Sequence, residues 1–230
     1  RYLRPGWYMR MADVDAAFPL LPLSPLVWPF MLFVWYSCAE GAAESAELWL
    51  YVHVCGDFGT SGMPGTFKVF FTDVTMGMAR AFGVLTLDLS VYVDDLAHIG
   101  PAAEALDREG EALRAFLASL GIILKELKDR SASKVQEALG FVWDSVTRTR
   151  TLQERKLVAY VQMLTEFAGR KTLTLREMQQ AAGRVQRAVM TLPPGASCLL
   201  ANLFGLMRGL TVPSQSRRTT RATRLDFKAV

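Results

Sequence analysis

The stretch SVYVDDLAHIG, residues 90–100, decides how this chain is read. Val91, Val93, Leu96 and Ile99 are apolar and Tyr92 is aromatic, so the stretch reads as strand. Asp94 and Asp95 nevertheless stand side by side within it. Adjacent carboxylates repel each other and resist leaving water. Strands over roughly 84–93 and 96–99 would form a hairpin with the two acids at its tip. A bound divalent cation offsets such repulsion, because it becomes the largest local charge. Mg²⁺ favours a few carboxylates together with substrate phosphates.

A third carboxylate is at hand. Residues 7–15 (WYMRMADVD) alternate as a strand and end in Asp13 and Asp15. A hairpin tip beside that strand end would gather acids at one point. Two ions held there would activate a 3′-hydroxyl and stabilise a leaving pyrophosphate, which is phosphoryl transfer by positioning and electrostatics.

Working outward, residues 48–55 (LWLYVHVC) read as a strand and GDFGTSGMPG as a loop. In residues 66–82, Phe67, Phe70, Phe71, Val74 and Met78 recur at helical spacing. Pro101–Leu120 reads as a helix stopped by Gly121, followed by short strands near 122–127 and 138–147. From 152 onward the pattern is wholly helical. Thr174 precedes Glu177 by three residues, the spacing of a capping box. PPG at 193–195 breaks the chain. Met163, Phe167, Leu199, Leu203 and Leu206 are expected in a core, and SQSRRTTRATR reads as a flexible basic tail.

The 230 residues are half hydrophobic, enough for one large domain or a domain with an appendage. Net charge is +4, divided into −5 over residues 1–150 and +9 over 151–230. A basic C-terminal third suits a polyanion such as nucleic acid, or is a solvated face. Cys38, Cys55 and Cys198 give no disulfide framework or metal-ligand spacing, which suggests a reducing, intracellular setting in cytoplasm or nucleus. His53 and His98 are isolated. Residues 16–39 carry no charge, but Pro19, Pro22, Pro25 and Pro29 make a poor membrane helix. They read as a short strand and an irregular buried crossing. The chain opens on Arg1 with no initiator Met or signal-like start, so it reads as part of something longer.

These motifs bear a resemblance. YVDD at 92–95 resembles the catalytic hairpin of reverse transcriptases, and ADVDAAFPLLPL at 12–23 their first palm motif, in which Asp13 takes the metal position and Asp15 does not. FGTSGMPGTF at 58–67 is similar to the next motif. LGIILKELKD at 120–129 resembles the segment that supplies a lysine near pyrophosphate, with Lys128 the best match. LGF at 139–141 resembles the primer-grip hairpin. TLREMQQAAGRV and the PPG turn resemble the thumb of retroelement enzymes, most like the DIRS and long-terminal-repeat retrotransposon group. The resemblance implies an α+β chain: a right-hand polymerase palm, antiparallel sheet on helices, with partial fingers over 1–150, an all-helical thumb over 151–212, and a basic tail over 213–230.

It also implies RNA-directed DNA polymerase activity on a primed RNA or DNA template with dNTPs and two Mg²⁺ ions, Mn²⁺ being an alternative. Catalysis falls to Asp13, Asp94, Asp95 and Lys128, with metal ligation by Asp13, Val14, Asp94 and Asp95. Nucleotide contacts fall to Ala17, Phe18, Gly59, Pro64 and Tyr92. Phe18 stands at the sugar-gate position and reads either as that gate or as a core phenylalanine; Lys128 reads as general acid or as a solvated lysine. Arg176, Arg184 and Arg187 fall roughly on one helix side and read as contacts to the primer–template backbone or as a solvated face. The rival reading is a non-catalytic module, a domesticated or decayed copy that holds nucleic acid or protein.

Overall fold

The structure, a computed structural model, describes residues 3–37, 47–193 and 195–229. Cys38, the end of the 16–39 crossing, Pro194 of the PPG turn, and Arg1, Tyr2 and Val230 lie outside the described residues. The chain divides into two compact units, residues 1–138 with 145–147, and residues 139–144 with 148–230.

In the first unit β1 (Tyr8–Asp13) is an inner strand of an antiparallel sheet. After it come β2 (Leu32–Ser37) and β3 (Glu47–Val52), a separate two-stranded ribbon. A continuous helical segment follows, made of α1 (Met63–Phe67), a π-helical stretch Lys68–Thr75, and α2 (Met76–Ala81). The hairpin β4 (Asp88–Tyr92) and β5 (Asp95–Gly100) leads into α3 (Ala103–Ser119), then β6 (Arg130–Ser133) and β7 (Val135–Ala138). The main sheet has the order β4-β5-β1-β6. Period-2 alternation decides what each of its faces carries. Arg10, Ala12, Leu96 and His98 point toward α3, while Met9, Met11, Asp13 and Asp95 take the other face.

The α3 side holds two buried polar knots. Arg10, 4% exposed, places its guanidinium 3.1 Å from Asp107, 2.7 Å from Glu111 and 2.9 Å from Asp129. Glu109 accepts hydrogen bonds from the backbone N–H of Thr86 and Leu87 and from the Thr86 hydroxyl, fixing the entry to β4. His98 Nε2 lies 3.6 Å from Glu109 Oε1. Burial pushes its imidazole down to about 4, outweighing the Glu109 charge.

Three expectations change here. The 16–39 segment is buried only at its start, where Ala17, Phe18 and Leu21 are in the core, while Leu26, Phe30 and Trp35 are exposed, and its strand, β2, follows the irregular stretch instead of preceding it. Among the described residues the ribbon it feeds has two strands and leaves apolar side chains in solvent. In the 63–81 helix, i→i+5 bonding turns the chain less per residue, so Phe67, Phe71 and Met76 share the buried face. Val74 and Met78, placed on that face by regular helical spacing, are exposed instead. Residues 122–127 form no strand; Leu124 makes one isolated bridge to Val14 and Glu126–Lys128 a 3₁₀ turn.

The second unit contains β8 (Phe141–Asp144) and β9 (Thr149–Leu152), a hairpin, then α4 (Glu154–Gly169), β10 (Thr172–Thr174), α5 (Leu175–Val189), α6 (Ala201–Met207), β11 (Ser216–Arg218) and α7 (Arg221–Ala229). Met163, Phe167, Met178, Val185 and Leu203 form its core, and the Thr174–Glu177 capping box is present. The unit is not all helical, and residues 213–230 are not a loose tail. β11 pairs with β10, Leu173 opposite Arg217, and α7 buries Phe227 against Phe167. The Thr220 hydroxyl caps α7 by accepting from the Thr223 N–H at 3.1 Å. Among the described residues no helix is long and apolar enough to cross a membrane.

Two outcomes follow from the polar knots. His98 binds a proton less readily folded than at its ordinary 6.5, so stability is full above pH 6.5 and falls as pH drops toward 4. The loss amounts to about 3 kcal/mol by linkage, and His98→Leu flattens that part of a pH series of chemical unfolding curves. A Cβ at Gly110 would overlap the Arg10 side chain, whereas one at Gly183 in α5 meets nothing within 4 Å. Gly110→Ala is therefore expected to lower Tm and Gly183→Ala to raise stability by up to about 1 kcal/mol.

Candidate active site

Antiparallel register brings the acids together. β1 and β5 pair with Asp13 opposite Asp95, and β4 and β5 pair with Tyr92 opposite Asp95. Directly opposed residues on one face hold their Cβ atoms about 5 Å apart. Val93 and Asp94 make the two-residue turn between the strands, and the Val14 N–H donates to the Asp94 carbonyl at 2.9 Å. Asp13, Asp94 and Asp95 thus converge at the ends of three adjacent strand segments.

The turn is strained. Val93 has φ 54°, the left-handed region that a β-branched side chain tolerates poorly. A two-residue hairpin loop ordinarily takes Asn-Gly or Asp-Gly. Strain of this kind, on the order of 1–3 kcal/mol, persists where the surroundings impose it.

Asp13 is 2% exposed and would be costly as a bare anion. The segment after α3 supplies its partners. Lys125 Nζ lies 2.5 Å from Asp13 Oδ1, and Lys128 Nζ 2.5 Å from Oδ2. The backbone sets this up: the Lys125 N–H donates to the Asp13 carbonyl at 2.8 Å, and the Asp15 N–H to the Ile123 carbonyl at 2.8 Å. Burial alone would raise the Asp13 carboxyl; hydrogen bonds and charge from Lys125 and Lys128 outweigh it and hold the group below its ordinary range. The bond to Asp13 in turn raises the Lys125 ammonium. Asp95 is pushed up to about 6 by burial, then by the charges of Asp94 and Asp13 and a hydrogen bond with Asp13.

Among the described residues no group of three or more His, Cys, Asp or Glu is arranged to hold a metal ion. Both oxygens of Asp13 instead face ammonium groups. The donor set itself suits a hard cation: carboxylate oxygens only, on a side chain, Asp95, that burial first and the Asp94 and Asp13 charges second push up to about 6.

The other sequence candidates fall as follows. Val14 is fully buried beside Asp13. Ala17 and Phe18 are in the core, with the Phe18 ring edge-on to Phe58 at 4.9 Å and to Phe67 at 5.9 Å, so the core reading of Phe18 is satisfied. Gly59, at φ 89°, and Pro64 sit in the exposed loop and at the start of α1. Tyr92 is 62% exposed.

In the second unit Arg184 stacks over Tyr160 and donates to the Met163 sulfur at 2.8 Å. Arg187 lies 4.3 Å over Phe141 and donates to the Leu139 carbonyl. Both hold their own unit together, and Arg176 is the exposed member of the three. Lys125 was missed by sequence reasoning. Its signal was a second lysine three residues before Lys128 in LKELKD.

The electrostatics carry an outcome. The Asp95 carboxyl carbon, followed by NMR, is expected to titrate near pH 6, and Asp94→Asn to move that midpoint downward by removing one of its causes. An unmoved midpoint would mean that the two side chains do not share a field.

No family model matches the sequence, and no curated protein matches it. Solved structures do. A foamy viral protease-reverse transcriptase in complex with an RNA/DNA hybrid superposes with TM-score 0.69 at 17% identity, over 100% of this chain and 28% of that one. The dRH form of a foamy viral protease-reverse transcriptase, in complex with double-stranded DNA, gives 0.67 at 18% identity, over 100% of this chain and 35% of that one. The chain spans about a third of the length of these structures. At that level of identity the likeness is one of fold, and the fold is reverse-transcriptase-like.

Proposed function

We infer that the chain is the catalytic portion of an RNA-directed DNA polymerase of retroelement type, adding deoxynucleotides to a primer 3′-hydroxyl. The observation that carries this reading is the register that sets Asp13 opposite Asp95 with Asp94 beside them. In it Asp13, Asp94 and Asp95, with Val14 alongside, hold the catalytic ions. Bound Mg²⁺ would supply Lewis-acid activation of the hydroxyl and neutralise charge on the leaving pyrophosphate. Lys125 and Lys128 offer ammonium groups to the phosphates, and Lys128 is the proton donor toward pyrophosphate. Arg176 meets the nucleic-acid backbone, which adds affinity without sequence information. The names of the fold neighbours, both bound to nucleic acid, support a duplex partner.

The second reading, a module that binds duplex without turnover, is favoured by the ammonium groups on both oxygens of Asp13. Primer extension on RNA with dNTPs and Mg²⁺ separates the two. The wild-type chain is expected to extend the primer, EDTA to stop it, and Asp94→Asn to reduce it at least about a hundredfold, since metal ligands carry several kcal/mol of transition-state stabilisation. Equal extension by wild type and Asp94→Asn removes the metal role. Salt-sensitive duplex binding with no incorporation establishes the second reading.

A further inference from the structure

We propose that Lys125 and Lys128 form a displaceable ammonium latch on Asp13, which substitutes for the cation in the free chain and passes to the nucleotide's polyphosphate when the ion enters. The inference rests on Asp13 as a metal ligand and adds what the two lysines do to metal binding.

The argument starts from occupancy. Each oxygen of Asp13 has its own ammonium at 2.5 Å. A Mg²⁺ ion binds carboxylate oxygen at about 2.0–2.1 Å and at that range repels an ammonium held by the same oxygen. An ion on either oxygen is therefore favoured when the lysine already there swings away. Exposure is unequal across these pairs: the Asp13 side chain is 2% exposed, that of Lys125 36% and that of Lys128 56%. The carboxylate is fixed, and the lysines have solvent to move into.

The lysines also stay close once displaced. Backbone hydrogen bonds from Lys125 to the Asp13 carbonyl at 2.8 Å and from Lys128 to the Lys125 carbonyl at 3.1 Å hold their main chain at the end of β1. Only the side chains need swing. Two ammonium groups freed beside a site that takes a metal-bound polyphosphate find their next anion in that ligand. Ion and polyphosphate thus help each other: the phosphates draw the lysines off Asp13, and the open carboxylate takes the ion. Without the ion, the latch keeps a buried carboxylate neutralised.

The test measures metal affinity in the whole 230-residue chain. Free Mn²⁺ is followed by electron paramagnetic resonance in wild type, Lys125→Met, Lys128→Met and the double variant. Each single substitution is expected to tighten Mn²⁺ binding roughly tenfold, the size of one charge-assisted hydrogen bond, and the pair to tighten it further. Lys134→Met removes a charge from the same unit at a lysine that packs over Tyr8, and is expected to leave the affinity unchanged. In wild type, a Mg²⁺ titration should free the Lys125 and Lys128 ammonium ¹⁵N signals at the same midpoint as the shift of the Asp13 carboxyl carbon. That titration needs no substitution, so a variant that fails to fold does not shelter the idea. A carboxyl shift with unmoved ammonium signals overturns the latch and leaves the metal reading of Asp13 standing. Silence of the Asp13 carboxyl with no Mn²⁺ bound by any variant, the double one included, overturns both.

Discussion

One constraint organises the first unit: antiparallel pairing puts Asp13 directly across from Asp95 at the end of an otherwise apolar strand pair. Hydrophobic alternation fixes that register, because a slip of one residue would turn Met9, Met11 and Asp13 toward α3 and Arg10 away from its carboxylates. The fold therefore cannot separate the two acids without losing its core. It neutralises one of them instead, with lysines from the segment after α3, while burial and then the neighbouring carboxylates push the other up to about 6.

The two faces of the sheet solve the same problem differently. On the α3 side, Arg10 is a buried cation among three carboxylates, and every partner is supplied by α3 or the segment leading into β6. Arg114 adds a second guanidinium at Asp129. That knot is structural: Arg10 is sealed at 4% exposure and breaking it leaves buried charge unpaired. On the other face the cations are flexible lysines, partly in solvent, on a carboxylate that stays put. The contrast between a sealed arginine and two partly exposed lysines is the observation on which the proposed latch rests.

Much of this was legible in the sequence. The alternation in WYMRMAD and in SVYV–LAHI announced paired strands, and the acids at their ends announced the cluster. The capping box at Thr174–Glu177 was readable because both partners lie within one turn. What escaped depended on non-local or irregular geometry. The π-helical stretch changes which of Phe70, Phe71, Val74 and Met76 face inward, and a fixed period of 3.6 cannot register it. The last residues looked like tail because their composition is basic, yet Thr220 caps a short helix and Phe227 anchors it. Arg184 and Arg187 lie on a common side of α5 as their spacing said, but aromatic rings from other elements claim them. Lys125 stood in the sequence as a second lysine before Lys128, but only the backbone pairing at Asp13 shows what it partners.

The central claim is that Asp13 and Asp95 share one electrostatic field. A double-mutant cycle of Asp13→Asn and Asp95→Asn, read by chemical unfolding at pH 8 where both carboxyls are charged, tests it most directly. The account expects non-additivity: neutralising Asp95 should stabilise the chain by about 1 kcal/mol more when Asp13 is present than when it is Asn. Strict additivity within error would contradict it, because two side chains that do not feel each other cannot be one site.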